Sequence, residues 1–277
     1  MKNPQVLFVV AAVVLAGCVG QPGGGGGFGA GVIIKSFAPT AISVPSGTPV
    51  DITIEVKNVG QREAASVSAK LLGISAGWSG GTNELSLATT LGEGEGTTGF
   101  WTLTSPSDKK NIDITYDFLG RVTYGYKTDA DVVFTVATSE YLRSVTRPGE
   151  SAPSNLGLRS STTTAGPLAV NARTKLPTVT KAGDKIRVQY EIQNVGGGRV
   201  YKTTPGDDIL DIDGSSCPGR TSSEVRLAGG KSALITCEIT TPSGFTQFTT
   251  VTHNLKLNYK YFVDSATTIT VLGEAPK

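Results

Sequence analysis

PVDITIEVKNVG (Pro49–Gly60) and DKIRVQYEIQNVG (Asp184–Gly196) are two copies of one pattern. In the first, Ile52, Ile54 and Val56 alternate with Asp51, Thr53, Glu55 and Lys57. In the second, Ile186, Val188, Tyr190 and Ile192 alternate with Lys185, Arg187, Gln189 and Glu191. A period of two is that of a half-buried strand, whose successive side chains point to opposite faces. Both copies end in Asn-Val-Gly, a turn signal, since Asn and Gly tolerate positive φ.

The repeat extends on both sides. Leu91–Pro106 (LGEGEGTTGFWTLTSP) lines up with Leu227–Pro242 (LAGGKSALITCEITTP): a Gly turn feeds a strand that stops at Ser/Thr-Pro. The tails, 111–137 and 250–272, each carry a paired run ending in a Thr/Val-rich strand. Further alternating runs are Val67–Leu71, Ile112–Phe118, Val122–Tyr126, Val132–Val136, Ile235–Ile239, Leu255–Val263 and Ile269–Val271. No segment keeps a 3.6-residue period over three turns. Short strands with regular turn signals predict an all-β chain of two tandem sandwiches.

Composition agrees. At 277 residues, two domains of about 100–200 residues each are expected. The chain holds 35 Gly, 14 Pro, one His and three Cys, with a formal net charge of +2. So few His and Cys exclude a Cys/His zinc site. A nearly balanced charge with no basic stripe argues against nucleic acid as a partner. The halves differ slightly. Residues 30–139 hold 8 basic and 11 acidic residues; residues 140–277 hold 16 and 12.

The N-terminus carries an address. Lys2 precedes an uncharged apolar run, Val6–Ala16, too short to span a bilayer and suited to a signal peptide. It ends in Leu15-Ala16-Gly17-Cys18. This string resembles the lipobox of prokaryotic lipoproteins. The resemblance implies cleavage before Cys18, a thioether lipid on its sulfur and an extracytoplasmic, membrane-anchored location, bacterial or archaeal. A single chain holds only marginally, so stable anchoring implies more than one acyl or isoprenoid chain. Gln21–Gly31 has seven Gly in eleven residues and reads as a flexible tether. It lacks the Gly-Lys-Ser/Thr ending of a phosphate loop.

The domain map follows. Residues 1–17 are the signal peptide, 18–31 the lipidated Cys and tether, and 32–139 the first sandwich. Residues 140–166 are a linker rich in Ser, Thr, Pro and Gly, and 167–273 the second sandwich, opened by Leu168–Thr174. Arg143, Arg147, Arg159, Arg173, Lys175 and Lys181 face only Glu140 and Glu150 in this region. They read as a solvated stretch, with contact to an anionic glycan or lipid surface as the alternative.

The order of features resembles the CARDB/APHP-type immunoglobulin-like domains of bacterial and archaeal surface proteins. The matching residues are Ile54, Val56, Asn58, Gly60, Ala64 and Ala65 in the first copy, and Tyr190, Ile192, Asn194 and Gly196 in the second. The second copy departs by inserting Gly197–Gly206, which leaves its third strand undefined. The resemblance implies an immunoglobulin-like fold over most of residues 32–272; fold does not fix function.

Cys217 and Cys237 remain once Cys18 is lipidated. Disulfides persist in exported proteins. Cys237 lies between Ile235 and Ile239 on the inward face of its strand, and Cys217 precedes the Pro218-Gly219 turn. A bridge would close a loop of about 20 residues and contribute roughly 3 kcal/mol in the chain-entropy model. Two separate buried thiols are the alternative.

Other constellations each have a structural role as the alternative to a chemical one. Asp207, Asp208, Asp211 and Asp213 precede Gly214 and could supply oxygens to Ca²⁺. The interleaved Ile209, Leu210 and Ile212 instead suggest a charged strand edge. No other cofactor is expected. Gly73-Ile74-Ser75-Ala76-Gly77 matches the nucleophile-elbow string but lacks a following helix pattern. The lone His253 is placed with Thr252, Asn254 and Lys256 on a solvated strand face. Glu93 and Glu95 sit between turn glycines, with no sign of a cleft between them. Tyr124, Tyr126, Tyr259, Tyr261, Trp78 and Trp101 are core aromatics, with sugar-stacking platforms as the alternative. The chain has no Asn-x-Ser/Thr sequon. The expectation is a non-enzymatic, lipid-anchored surface protein acting in adhesion or as a scaffold. The alternatives are a glycan-binding module, perhaps assisted by calcium, and an accessory subunit of a cell-envelope complex.

Overall fold

The computed structural model describes residues 31–107, 112–146, 156–173, 178–179 and 181–273. The signal peptide, Cys18, nearly all of the tether, Arg147 and Lys175 lie outside them.

The first copy builds β1 (Val32–Pro39), β2 (Ser43–Pro45), β3 (Pro49–Asn58), β4 (Ala64–Leu72), β5 (Ser79–Gly80), β6 (Glu84–Leu91), β7 (Gly96–Thr104) and β8 (Ile114–Ala137). Next come a short helix, α1 (Ser139–Val145), and β9 (Gly157–Thr163). The second copy builds β10 (Leu168–Arg173), β11 (Thr178–Val179), β12 (Lys185–Asn194), β13 (Arg199–Tyr201), β14 (Ile209–Ile212), β15 (Glu224–Arg226), β16 (Ser232–Thr240) and β17 (Phe248–Leu272). The chain is an all-β protein of packed, mostly antiparallel sheets.

The two copies build matching outer sheets, ordered β1-β3-β7-β5 in the first and β10-β12-β16 in the second. Backbone hydrogen bonds repeat position for position. Val59 N–H donates to Gly31 O as Val195 does to Pro167 O, and Gly47 N–H donates to Pro106 O as Gly183 does to Pro242 O. Asn58 N–H donates to Glu95 O as Asn194 does to Lys231 O.

Beneath both outer sheets runs one shared sheet, whose spine is β8 and β17. These strands have 24 and 25 residues and pair antiparallel without interruption from Phe248↔Ala137 to Val271↔Ile114. At about 3.3 Å per residue each spans roughly 80 Å. The first half of β8 pairs with β4, and its second half pairs with β9 and β11. The middle of β17, Leu257 to Phe262, pairs with β14 and β13, while its end pairs with β2. Each copy therefore lends the far half of its last strand to the other. The parallel pairings show this most simply: β2 of the first copy lies on β17, and its counterpart β11 lies on β8.

This differs from a string of two self-contained sandwiches. The physical reason is strand length. Every even residue of β8 from Phe118 to Val136 is buried, so the runs read separately as Ile112–Phe118, Val122–Tyr126 and Val132–Val136 merge, from Ile114 on, into one strand. The 140–166 segment between the copies carries some regular structure. Within it, α1 is capped by the Thr138 hydroxyl, which accepts from Tyr141 N–H at 3.2 Å, and β9 pairs with β8. The unpaired edge of β8 recruits β9.

At the seam the four tyrosines pack ring to ring, edge-on or tilted. Tyr126 lies opposite Tyr259, and Tyr124 opposite Tyr261. All four are buried, as are Trp78 and Trp101, so these aromatics are core and not platforms. Asn58 and Asn194 tie the seam in the same way in both copies. Each side-chain amide donates to two backbone carbonyls, and each Oδ1 accepts the N–H of the glycine two residues on. Four residues past each Asn, a backbone N–H meets a tyrosine hydroxyl: Arg62 to Tyr126 at 3.1 Å and Gly198 to Tyr261 at 3.0 Å. Gly60 and Gly196 are thus not turn glycines of positive φ. A Cβ on Gly60 would sit 2.0 Å from the Tyr126 hydroxyl, and one on Gly196 would sit 2.5 Å from that of Tyr261.

Candidate functional site

The candidate site lies where the shared sheet parts. β4 bulges between Ala65 and Ser68, with Ser66 at φ 52°, and leaves β8 at Gly125. β9 joins β8 only from Ala130. The gap beside Tyr126–Asp129 is bridged by Gln61–Glu63 and Thr164–Ala165. Gln61 N–H donates to Ala165 O at 2.9 Å, and Ala165 N–H donates to Gln61 Oε1 at 2.8 Å.

Two open, adjoining cavities of about 550 and 620 Å³ occupy this region and share Arg62, Lys127, Asp129 and Asn258. Tyr126 and Tyr259 line the first; Asp131, Asp213, Asn254 and Lys256 help line the second. Cross-strand pairing sets the polar residues in rows, with Asn258 opposite Lys127, Lys256 opposite Asp129 and Asn254 opposite Asp131. Arg62 forms an ion pair with Asp129, and Asn254 Nδ2 donates to Asp131 at 2.7 Å. Among the described residues, the Asn254 Oδ1 is buried without a partner. The linings hold cations, carboxylates and amides and no serine, cysteine or histidine. Such a trough can hydrogen-bond a polyhydroxylated or zwitterionic group. Sequence reading missed it, because its residues come from β8, β17 and two connections that only the strand exchange brings together.

The four aspartates proposed for Ca²⁺ are not brought to one point. Burial works against the Asp207 charge, but N–H groups of Thr203, Ile209, Lys202 and Thr204 hold its carboxyl down to about 2. Asp208 forms an ion pair with Arg199 at 2.5 Å, and Asp211 with Lys202 at 2.8 Å. Asp213 caps a 3₁₀ turn, accepting from Ser215 N–H at 3.0 Å. Among the described residues no group of three or more His, Cys, Asp or Glu could hold a metal ion.

Cys217 and Cys237 form a disulfide. His253 corrects its expected placement: it shares the inward face with Val251 and Leu255, half-buried, and its Nδ1 lies 2.5 Å from the Tyr190 hydroxyl on β12. Burial lowers its pKa, opposed by a hydrogen bond to the Ser216 backbone. The Gly73–Gly77 string forms the connection between β4 and β5 and precedes no helix; Gly73 and Gly77 have φ of 84° and 95°. Glu93 and Glu95 lie in the β6–β7 turn, where Glu95 accepts from Gly92 N–H at 2.6 Å. Arg173 is paired with Glu191 at 2.6 Å, and Arg159 Nε donates to the Thr135 hydroxyl at 2.9 Å.

No protein family matches the chain, and no curated protein matches it. Among solved structures it aligns with a red sea bream transglutaminase over 86% of this chain and 31% of that one, at 10% identity and a TM-score of 0.21. The chain thus spans about a third of that enzyme's length.

Proposed function

We propose that this chain is a lipid-anchored, extracytoplasmic surface protein of structural role, an adhesion or scaffold element without catalysis of its own. The observation that supports a structural role is the reciprocal exchange of β8 and β17. Splitting the two units requires breaking a ladder that runs through both, so the exchange favours a stiff body over a pair of hinged modules. Anchoring rests on Leu15–Cys18 with Lys2 and the apolar run before it. The Cys217–Cys237 bridge fits an oxidising compartment. The repeat follows the immunoglobulin-like pattern, and we read each unit as a derivative of it.

The test is mass spectrometry of the protein extracted from membranes. The expected N-terminal peptide begins at Cys18 and carries a lipid mass, and Cys18→Ser moves the protein to the soluble fraction. An unmodified N-terminus at Met1 would overturn the anchoring. A second reading, glycan binding, is favoured by the polar trough at the seam. Calorimetry against surface glycans, with Asp129→Asn expected to abolish the heat, separates it from a purely structural role.

A further inference from the structure

The trough at the seam does not stop at the two cavities already described. A third cavity, of about 190 Å³, is lined by Tyr201, Lys202, Asp211 and Lys260 among others and meets the first two at Asn258. It arises because both edges of the β8–β17 spine lose their partner at the same level. On one edge β4 leaves β8 at Gly125 and β9 joins at Ala130. On the other edge β14 reaches Asn258 and β13 begins at Lys260. Tyr126 and Tyr259 lie opposite each other between the two gaps. The three cavities therefore make one groove that crosses the spine at right angles to its strands. With adjacent strands about 4.8 Å apart, the run from gap to gap is roughly 15 Å, the length of a short oligosaccharide and longer than a single sugar ring.

The groups left free along this groove decide its ligand. Most of its carboxylates are already engaged. Asp129 holds Arg62, Asp131 accepts from Asn254, Asp213 from Ser215 N–H, and Asp211 from Lys202. Among the described residues, the side chains of Lys127, Lys256, Asn258 and Glu63 make no hydrogen bond or ion pair, and Asn254 Oδ1 has no donor. Lys260 stands 5.8 Å over the Tyr201 ring. Lys127, Lys256 and Lys260 occupy neighbouring rows of the spine, opposite Asn258, Asp129 and Gly125. Three ammonium groups thus face one free carboxylate, that of Glu63 in the first cavity. We infer that the groove binds an acidic glycan, an extended sugar chain bearing carboxylates. The inference rests on the glycan reading of the trough and gives that ligand its charge. Carboxylates take charge-assisted hydrogen bonds from the lysines, while sugar hydroxyls serve the Asn258 amide and the Asn254 carbonyl. A neutral sugar would leave the ammonium groups without a counter-charge, and an acidic peptide would bring few hydroxyls to the amides.

The experiment is calorimetry on the full chain, extracted in detergent. The probes are tetramers of galacturonate and of mannuronate, their neutral methyl esters, and tetra-aspartate. At least one acidic tetramer is expected to bind, with an affinity that falls as salt is raised. Its ester and the peptide should bind more weakly by about tenfold or more, the usual effect of losing a hydrogen bond to a charged group. Lys127→Gln and Lys256→Gln should each weaken the acidic tetramer by a similar factor and leave the ester unaffected. Both lysines are exposed, so an unchanged melting temperature is expected of each variant. Lys35→Gln, on the outer sheet, should change nothing. Equal binding of acid and ester overturns the acidic class and leaves the glycan reading standing. Binding of no sugar overturns both. Binding of tetra-aspartate as tight as that of the sugar acids overturns the choice of a glycan.

Discussion

Gly60 and Tyr126 show how much one missing methyl group matters. The tyrosine hydroxyl takes the space a Cβ would need while it accepts from Arg62 N–H. Gly60→Ala is expected to destabilise the protein by about 1–3 kcal/mol, the usual range for overpacking. Adding Tyr126→Phe should recover part of that loss in a double-mutant cycle, read by denaturant melts. Asp207 and His253 both contribute to the acid limb of stability. The Asp207 carboxyl is held at about 2 against roughly 3.9 in an unfolded chain. Its contribution is complete above pH 4 and is lost as pH falls toward 2. The folded pKa of His253 is also depressed. Its contribution is complete above about pH 6.5 and declines below, as the unfolded chain takes up the proton first. Melting temperature should therefore fall in two stages on acidification. His253→Gln is expected to flatten the upper stage and Asp207→Asn the lower.

Among the elements, the strands of the two copied motifs were readable because their alternation is strict and their ends are marked. β3 and β12 fall at Pro49–Asn58 and Lys185–Asn194, inside the two quoted stretches. The length of β8 was also present in the sequence, since Phe118, Val122, Tyr124, Tyr126, Ala130, Val132, Phe134 and Val136 share one parity. Gly120 and Thr128 hide it: they occupy inward positions without looking apolar. Parity would have placed His253 inward with Val251 and Leu255 as well. What no local pattern could supply is the partner of each half-strand, because pairing is a long-range choice. The trough was invisible for the same reason. The disulfide belongs to this scale too, since it fastens one loop to β16. Removing it with Cys217→Ala and Cys237→Ala should cost roughly 3 kcal/mol on the chain-entropy estimate. The loss should appear as faster hydrogen exchange around β14–β16, with β3 and β7 little changed.

For the whole molecule, the exchanged strands make a strong statement about cooperativity. Two independent sandwiches would melt in two steps, each with its own midpoint. Units that share a continuous ladder from Phe248 to Val271 should unfold together. Calorimetry is expected to show one transition whose calorimetric and van't Hoff enthalpies agree. Two resolved transitions would show that the seam opens before either end.

The position of Gly31 carries a last consequence. Its carbonyl accepts from Val59 N–H, and its backbone lies against Tyr124 and Pro167, so the described chain begins at mid-length and not at a tip. If a lipid at Cys18 holds the molecule, the attachment point is its waist. The body would then lie across that point as a crossbar with an arm to either side, instead of standing upright like a mast.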